Sequence, residues 1–112
     1  MQIVQKENKQ IAVLSLIGDP LGEQDAQLLR SRISQVIEQE IKHVVLDLTG
    51  VKHINSAGLG GLISAMCAML RIGGAVFFAS ATMNVQGAFR ITHLDQVFNI
   101  YPSVEKAIGD FS

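Results

Sequence analysis

The sequence predicts a single α/β domain. It should have a mostly parallel sheet of four to five strands, an antiparallel edge strand and about four helices. Two observations predict this. Short runs of Val, Ile and Phe alternate with longer segments of helical periodicity, the pattern of a parallel sheet with right-handed crossovers. The 112 residues show no linker, repeat or change of composition, so one domain, 1–112, is expected.

The elements follow in order. Residues 2–6 and 11–17 are rich in Ile and Val and are separated by Glu7-Asn8-Lys9, which reads as strand, turn and strand. "GDPLG" (18–22) breaks the pattern. Segment 23–40 sets Leu28, Leu29, Ile33, Val36 and Ile37 at helical spacing among polar residues. "HVVLDL" (43–48) is a short apolar run of the buried-strand type. A loop, 49–55, leads to a helix over about 57–72, ended by Gly73-Gly74. "AVFFAS" (75–80) is a further buried strand, and Thr82 is a good N-cap for a helix to Ile91. "VFNI" (97–100) reads as a short strand. Pro102 suits the first turn of a last helix through Ile108.

Composition excludes several classes of function. The net charge is −1, and the nine basic residues are scattered singly. Nucleic-acid binders instead gather Lys and Arg on one face. The N-terminus has no apolar h-region of a signal peptide. The longest apolar window, 54–70, holds Asn, two Ser and three Gly, which is too short and too polar for a membrane span. One cysteine, Cys67, rules out a disulfide within the chain and fits a reducing compartment. A cytoplasmic, non-enzymatic domain without a cofactor is expected, with no nucleic-acid partner and no membrane insertion.

The least ordinary stretch is "HINSAGLGGLISAMCAML" (53–70). After His53 it carries no charge until Arg71. At 100° per residue, Leu59, Leu62, Ile63, Met66, Met69 and Leu70 share one side. The opposite side carries Ala57, Gly60, Gly61, Ser64 and Ala68. A surface helix would show Glu and Lys there. Either the helix is covered on both sides by its own domain, or a flat, neutral face receives another protein. The pair Gly60-Gly61 costs helix stability, and close approach by a partner would account for it.

Asn55 and Ser56 precede this helix, and both residue types make strong N-caps. One of them capping the helix, and nothing more, is the simplest reading. The alternative is that Ser56 is modified. The loop follows a parallel strand, at the end where α/β sheets keep their sites. A helix N-terminus favours a phosphate. Beside an uncharged interface, that charge would be costly to bury.

The run "VVLDLTGVKHINSAGLGGL" resembles the STAS domain, the fold of bacterial anti-sigma factor antagonists, and "RITHLDQVFNIYPSVEKAI" resembles its C-terminal portion. The resemblance extends over nearly the whole chain. It implies a partner-switching module. The unmodified antagonist binds an anti-sigma factor that is also a serine kinase. The kinase phosphorylates the first Ser of the motif, Ser56 here, and a serine phosphatase resets it. Asn55, Ser56, Ala57, Gly58, Gly60, Gly61, Ser64 and Ala68 would then form the partner-binding surface. In many members Asp stands at 55, and a second Ser or Thr at 57. Asn55 and Ala57 therefore give weight to an alternative, a constitutive scaffold or an accessory subunit of a lipid or anion transport system.

Other signals are weaker. "GLGG" (58–61) lacks both a Walker Lys-Ser/Thr and a full G-x-G-x-x-G. Ser56 lacks the G-x-S-x-G elbow. His43, His53 and His93 have no metal-ligand spacing. Asp47, at a strand's end, should bond the next loop's backbone. Cys67, Met66 and Met69 read as core filling.

Overall fold

The computed structural model describes residues 1–8, 10–19 and 21–111. Lys9 of the expected turn, Pro20 of the expected break and Ser112 lie outside the described residues. Strand β1 (Gln2–Asn8) pairs antiparallel with β2 (Ile11–Gly18). β2, β3 (His43–Val51), β4 (Ala75–Ala79) and β5 (Asn99–Tyr101) run parallel, in the spatial order β1-β2-β3-β4-β5. The helices are α1 (Glu23–Glu38), α2 (Ser56–Arg71), α3 (Met83–Ile91) and α4 (Val104–Phe111). The expected fold class is thus the observed one, with five strands.

The parallel strands are laid down in one direction across the sheet, so right-handed crossovers place every connecting helix on the same face. Leu29 and Ile33 of α1, Leu62 and Met69 of α2, and Val85 and Phe89 of α3 share one core with Leu14, Leu46 and Phe78 of the sheet. Helix α4 follows the last strand, is free of that rule, and packs on the opposite face. There Ala107 meets Val13, Val45 and Ala79, and Phe111 stacks on Phe77 with ring centroids 3.8 Å apart. Alternate residues of a strand face opposite ways, so Phe77 and Phe78 serve the two cores separately.

Several boundaries differ from expectation, each for a local reason. β1 runs to Asn8, so Glu7 and Asn8 belong to the strand. β3 continues to Val51 because Gly50 and Val51 pair with Ile17 and Gly18 beyond a register shift in which β3 carries one extra residue between Asp47 and Gly50. β5 starts at Asn99, since a 3-10 turn over Leu94–Gln96 occupies the chain before it. Pro102 precedes the last helix. Ser103 caps that helix, its hydroxyl accepting from the Lys106 N–H at 3.2 Å.

Two helix faces are also rotated from the expected ones. Leu28 is exposed, and Ala26 takes its place in the buried row of α1. In α2 the buried row is Gly58, Leu59, Gly61, Leu62, Ala65 and Met69. Leu70 is 55% exposed, and Ile63 and Met66 are half-buried. The helix is turned so that Gly61 meets Ala26 of α1 and Gly58 meets the loop at Leu21.

Gly73 ends α2 as expected. It lies at φ +76°, donates to the Leu70 carbonyl at 3.1 Å, and lets Gly74 donate to Met69 at 2.8 Å, which is the Schellman pattern.

Candidate functional site

The Asn-Ser motif sits at the carboxyl edge of the sheet, between the end of β3 and the start of α2. Two neighbours hold its loop. The Leu21 N–H donates to the His53 carbonyl at 2.9 Å, and the Asn55 N–H donates to the Leu21 carbonyl at 3.2 Å. Leu21 and Ile54 thereby form an isolated parallel bridge, which extends the β2–β3 pairing past the strand ends. From the other side, the Thr82 hydroxyl donates to the Val51 carbonyl at 3.2 Å and accepts from the Val85 N–H at 3.4 Å. One side chain thus caps α3, as expected, and ties it to the strand leading into the motif. "GDPLG" read as a chain break; Leu21 within it is a strut for the motif, and no local signal in the sequence announces a contact across thirty or so residues.

Asn55 is the cap of α2. Its backbone is extended, at φ −101°, and its side-chain oxygen accepts from the Gly58 N–H at 3.0 Å. Gly22 leaves room for the carboxamide: a Cβ there would stand 3.1 Å from Asn55 Nδ2. With the cap supplied by Asn55, Ser56 becomes the first helical residue and is exposed. Among the described residues its hydroxyl has no hydrogen-bond partner, and neither its own N–H nor that of Ala57 is taken. The first turn of α2 contains no acidic side chain, so nothing there offsets the partial positive charge of the helix end. Nearby, His53 Nδ1 lies 2.7 Å from Asp19 Oδ1, with both side chains largely in solvent.

The remaining candidate residues divide. Asn55 and Ser56 are exposed, and Ala57, Gly60, Ser64 and Ala68 are half-buried along the outward side of α2. Gly58 and Gly61 are buried inside the domain. A Cβ on Gly58 would lie 2.1 Å from the Leu21 carbonyl oxygen, and one on Gly61 would lie 2.7 Å from the Ala26 Cβ. Of the pair Gly60-Gly61, where close approach by a partner is the expectation, Gly61 is approached by the domain's own α1, as Gly58 is by its loop. Gly60 has nothing within 4 Å of its Cβ position. Between Ser56 and Leu70 no residue of α2 is fully exposed, so the neutral face is a shallow, partly covered strip and not an open plane.

Asp47 lies inside β3, which runs on to Val51, and not at the strand's end as expected; its bonds go to β3 itself and to β2, not to a following loop. It accepts from the Thr49 N–H at 3.1 Å, from the Thr49 hydroxyl at 2.6 Å and from Ser15 at 3.1 Å. Cys67 is half-buried beside α1, not in the core. No group of three or more His, Cys, Asp or Glu among the described residues could hold a metal ion. No helix among them is long and apolar enough to cross a membrane.

A mostly parallel sheet with three helices on one face and one on the other, and an exposed serine beside an Asn-capped helix at its carboxyl edge, define a class of small α/β domain. The chain belongs to the STAS domain family, whose model matches residues 2–107. It is similar in structure to a candidate anti-sigma factor antagonist from Thermotoga maritima, with a TM-score of 0.86 and 20% identity, covering 96% of this chain and 92% of the other. The anti-sigma factor antagonist SpoIIAA of Bacillus, in its unphosphorylated form, matches with a TM-score of 0.82 and 18% identity over 98% of this chain and 96% of its own. A sulfate transporter family protein from Wolinella succinogenes matches at 0.79 and 16%, over 91% of this chain and 84% of that one.

Proposed function

We propose that this domain is a non-enzymatic, cytoplasmic docking module of the anti-sigma factor antagonist type. It binds an anti-sigma factor that is a serine kinase, and phosphorylation of Ser56 ends the binding. One observation carries the reading: Asn55 fills the capping role, which leaves the Ser56 hydroxyl exposed and unbonded at the head of the helix. A hydroxyl committed to a cap would have to leave it before reacting. Once phosphorylated, Ser56 would set up to two negative charges beside the free Ser56 and Ala57 amides. The fold need not change. A partner covering Asn55, Ser56, Ala57, Gly60 and Ser64 would have to bury that charge or leave. A serine phosphatase would restore the docking state.

The test is calorimetric titration of wild type, Ser56→Ala and Ser56→Asp with an anti-sigma factor kinase from the same genome. Ser56→Ala should bind as wild type, and Ser56→Asp at least tenfold more weakly. Equal binding by both variants would refute the switch.

A second reading has its own support. Asn55 bears no charge, and the same fold occurs in a sulfate transporter family protein. On that reading the domain is a constitutive scaffold or accessory subunit, and Ser56→Asp keeps the same partner as wild type.

A further inference from the structure

Helices α1 and α2 approach closely at Ala26 and Gly61. Beyond that contact lies a groove of about 350 Å3. Ile33 and Ala65 form its buried floor, and Ile63 and Ala68 are half-buried in its walls. The two charged side chains lining it are Arg30 and Arg71, both exposed at the rim. Among the described residues neither guanidinium lies within salt-bridge distance of a carboxylate. No acidic side chain lines the groove.

We propose that this groove binds a small amphipathic anion, an acid head group on a short aliphatic body. Each part of the proposal answers a part of the site. Two guanidiniums from different helices, both lining the groove and neither in a salt bridge among the described residues, suit a carboxylate or a similar head, which accepts hydrogen bonds in the plane of a guanidinium fork. The apolar floor suits methylene groups. The volume lies within the range of small-molecule sites. At about 30 Å3 per water-sized group it admits a ligand of about a dozen heavy atoms, and not a whole phospholipid. The site also accounts for the uncharged run of α2. Ser64 and Ala68 line the groove, and longer or charged side chains there would fill it or compete with the ligand head. The α2 side of the groove, Ile63 to Arg71, lies about two to four helical turns from Ser56, so the proposal does not depend on the phosphorylation reading.

The probe is sodium octanoate, with butyrate, octylamine and phosphatidylglycerol vesicles as comparison arms. Amide shifts are followed on the full chain by two-dimensional NMR. Octanoate should give saturable shifts confined to residues 30–34 and 63–71, with at least fivefold weaker binding for butyrate. The Arg30→Gln/Arg71→Gln variant should keep its circular dichroism and melting temperature, and should bind octanoate at least fivefold more weakly. An unchanged response in that variant would overturn the proposal. So would equal shifts with octylamine, shifts spread over the surface, or a response to vesicles alone.

Discussion

Three glycines within four residues of α2 meet three different surroundings, so replacing each by Ala separates the forces on this helix. At Gly60 the new methyl meets nothing within 4 Å. The change removes the glycine penalty and should stabilise the domain by about 0.5–1 kcal/mol. For a chain of this length the unfolding entropy is about 0.24 kcal/mol/K. The melting temperature should therefore rise by about 2–4 °C. At Gly61 the methyl would stand 2.7 Å from the Ala26 Cβ and 3.0 Å from its Cα. Forcing α1 and α2 apart costs about 1–3 kcal/mol, which exceeds the propensity gain, and the protein should melt several degrees lower. At Gly58 the obstacle is the Leu21 carbonyl oxygen at 2.1 Å. A carbon tolerates an oxygen at no less than about 3.3 Å, so the loop must retreat by more than about 1 Å. That movement breaks the Leu21–Asn55 hydrogen bond and the bridge to Ile54. The loss should be about 3 kcal/mol or more, and the melting temperature should fall by more than about 10 °C. Thermal unfolding followed by circular dichroism ranks the three. If Gly58→Ala melts with wild type, or if Gly60→Ala falls as far as Gly61→Ala, the placement of α2 is wrong.

The Asn55–Ser56 pair gives a second prediction. Asn55→Ala should cost about 1 kcal/mol through the lost cap, while Ser56→Ala should leave urea stability within a few tenths; the reverse order would make Ser56 the cap. Tyr101 is the chain's only tyrosine, and its hydrogen bond to Asp110 pushes its phenol up to about 12. In the unfolded chain it ionises near 10. The bond's contribution to stability is therefore whole below about pH 10 and is lost as pH rises to the folded value near 12. Ultraviolet titration should find that high midpoint, and Asp110→Asn should bring it back toward the ordinary value; an ordinary midpoint in wild type would exclude the bond. Phe89 is fully buried, edge-on to Phe98 with centroids 5.2 Å apart. Phe89→Ala should cost about 3–5 kcal/mol in urea unfolding, and a loss below about 1 kcal/mol would mean that α3 is not part of the core.

The order of elements was legible because each depends on its own neighbours in sequence. A strand needs alternation or a short apolar run, and Thr82 and Gly73 act within one turn of themselves. The family was legible from residues 44–62 for a related reason: a motif is a local string. What the string did not carry was the partner of each local feature. Asn55 and Ser56 have nearly equal capping preference. The choice between them is made by the Leu21 carbonyl, which holds the Asn55 backbone extended from a loop more than thirty residues away. The uncharged side of α2 was visible, but its meaning depended on where α1 lies. That is fixed by the one-directional winding of the sheet, which places α1 beside α2 on the same face.

That placement divides the neutral face along its length. At its head, the absence of acidic side chains leaves free amides around Ser56. One turn on, the absence of any side chain at Gly61 lets α1 approach to contact. Two turns on, the same smallness at Ser64, Ala65 and Ala68 borders a groove whose lining includes Arg30 and Arg71. A single compositional feature, read as one interface in the sequence, therefore has three physical causes. They can be separated by experiment, because a charge placed at Gly60, a methyl placed at Gly61 and the loss of charge at Arg71 should each affect a different property: partner binding, stability and anion binding.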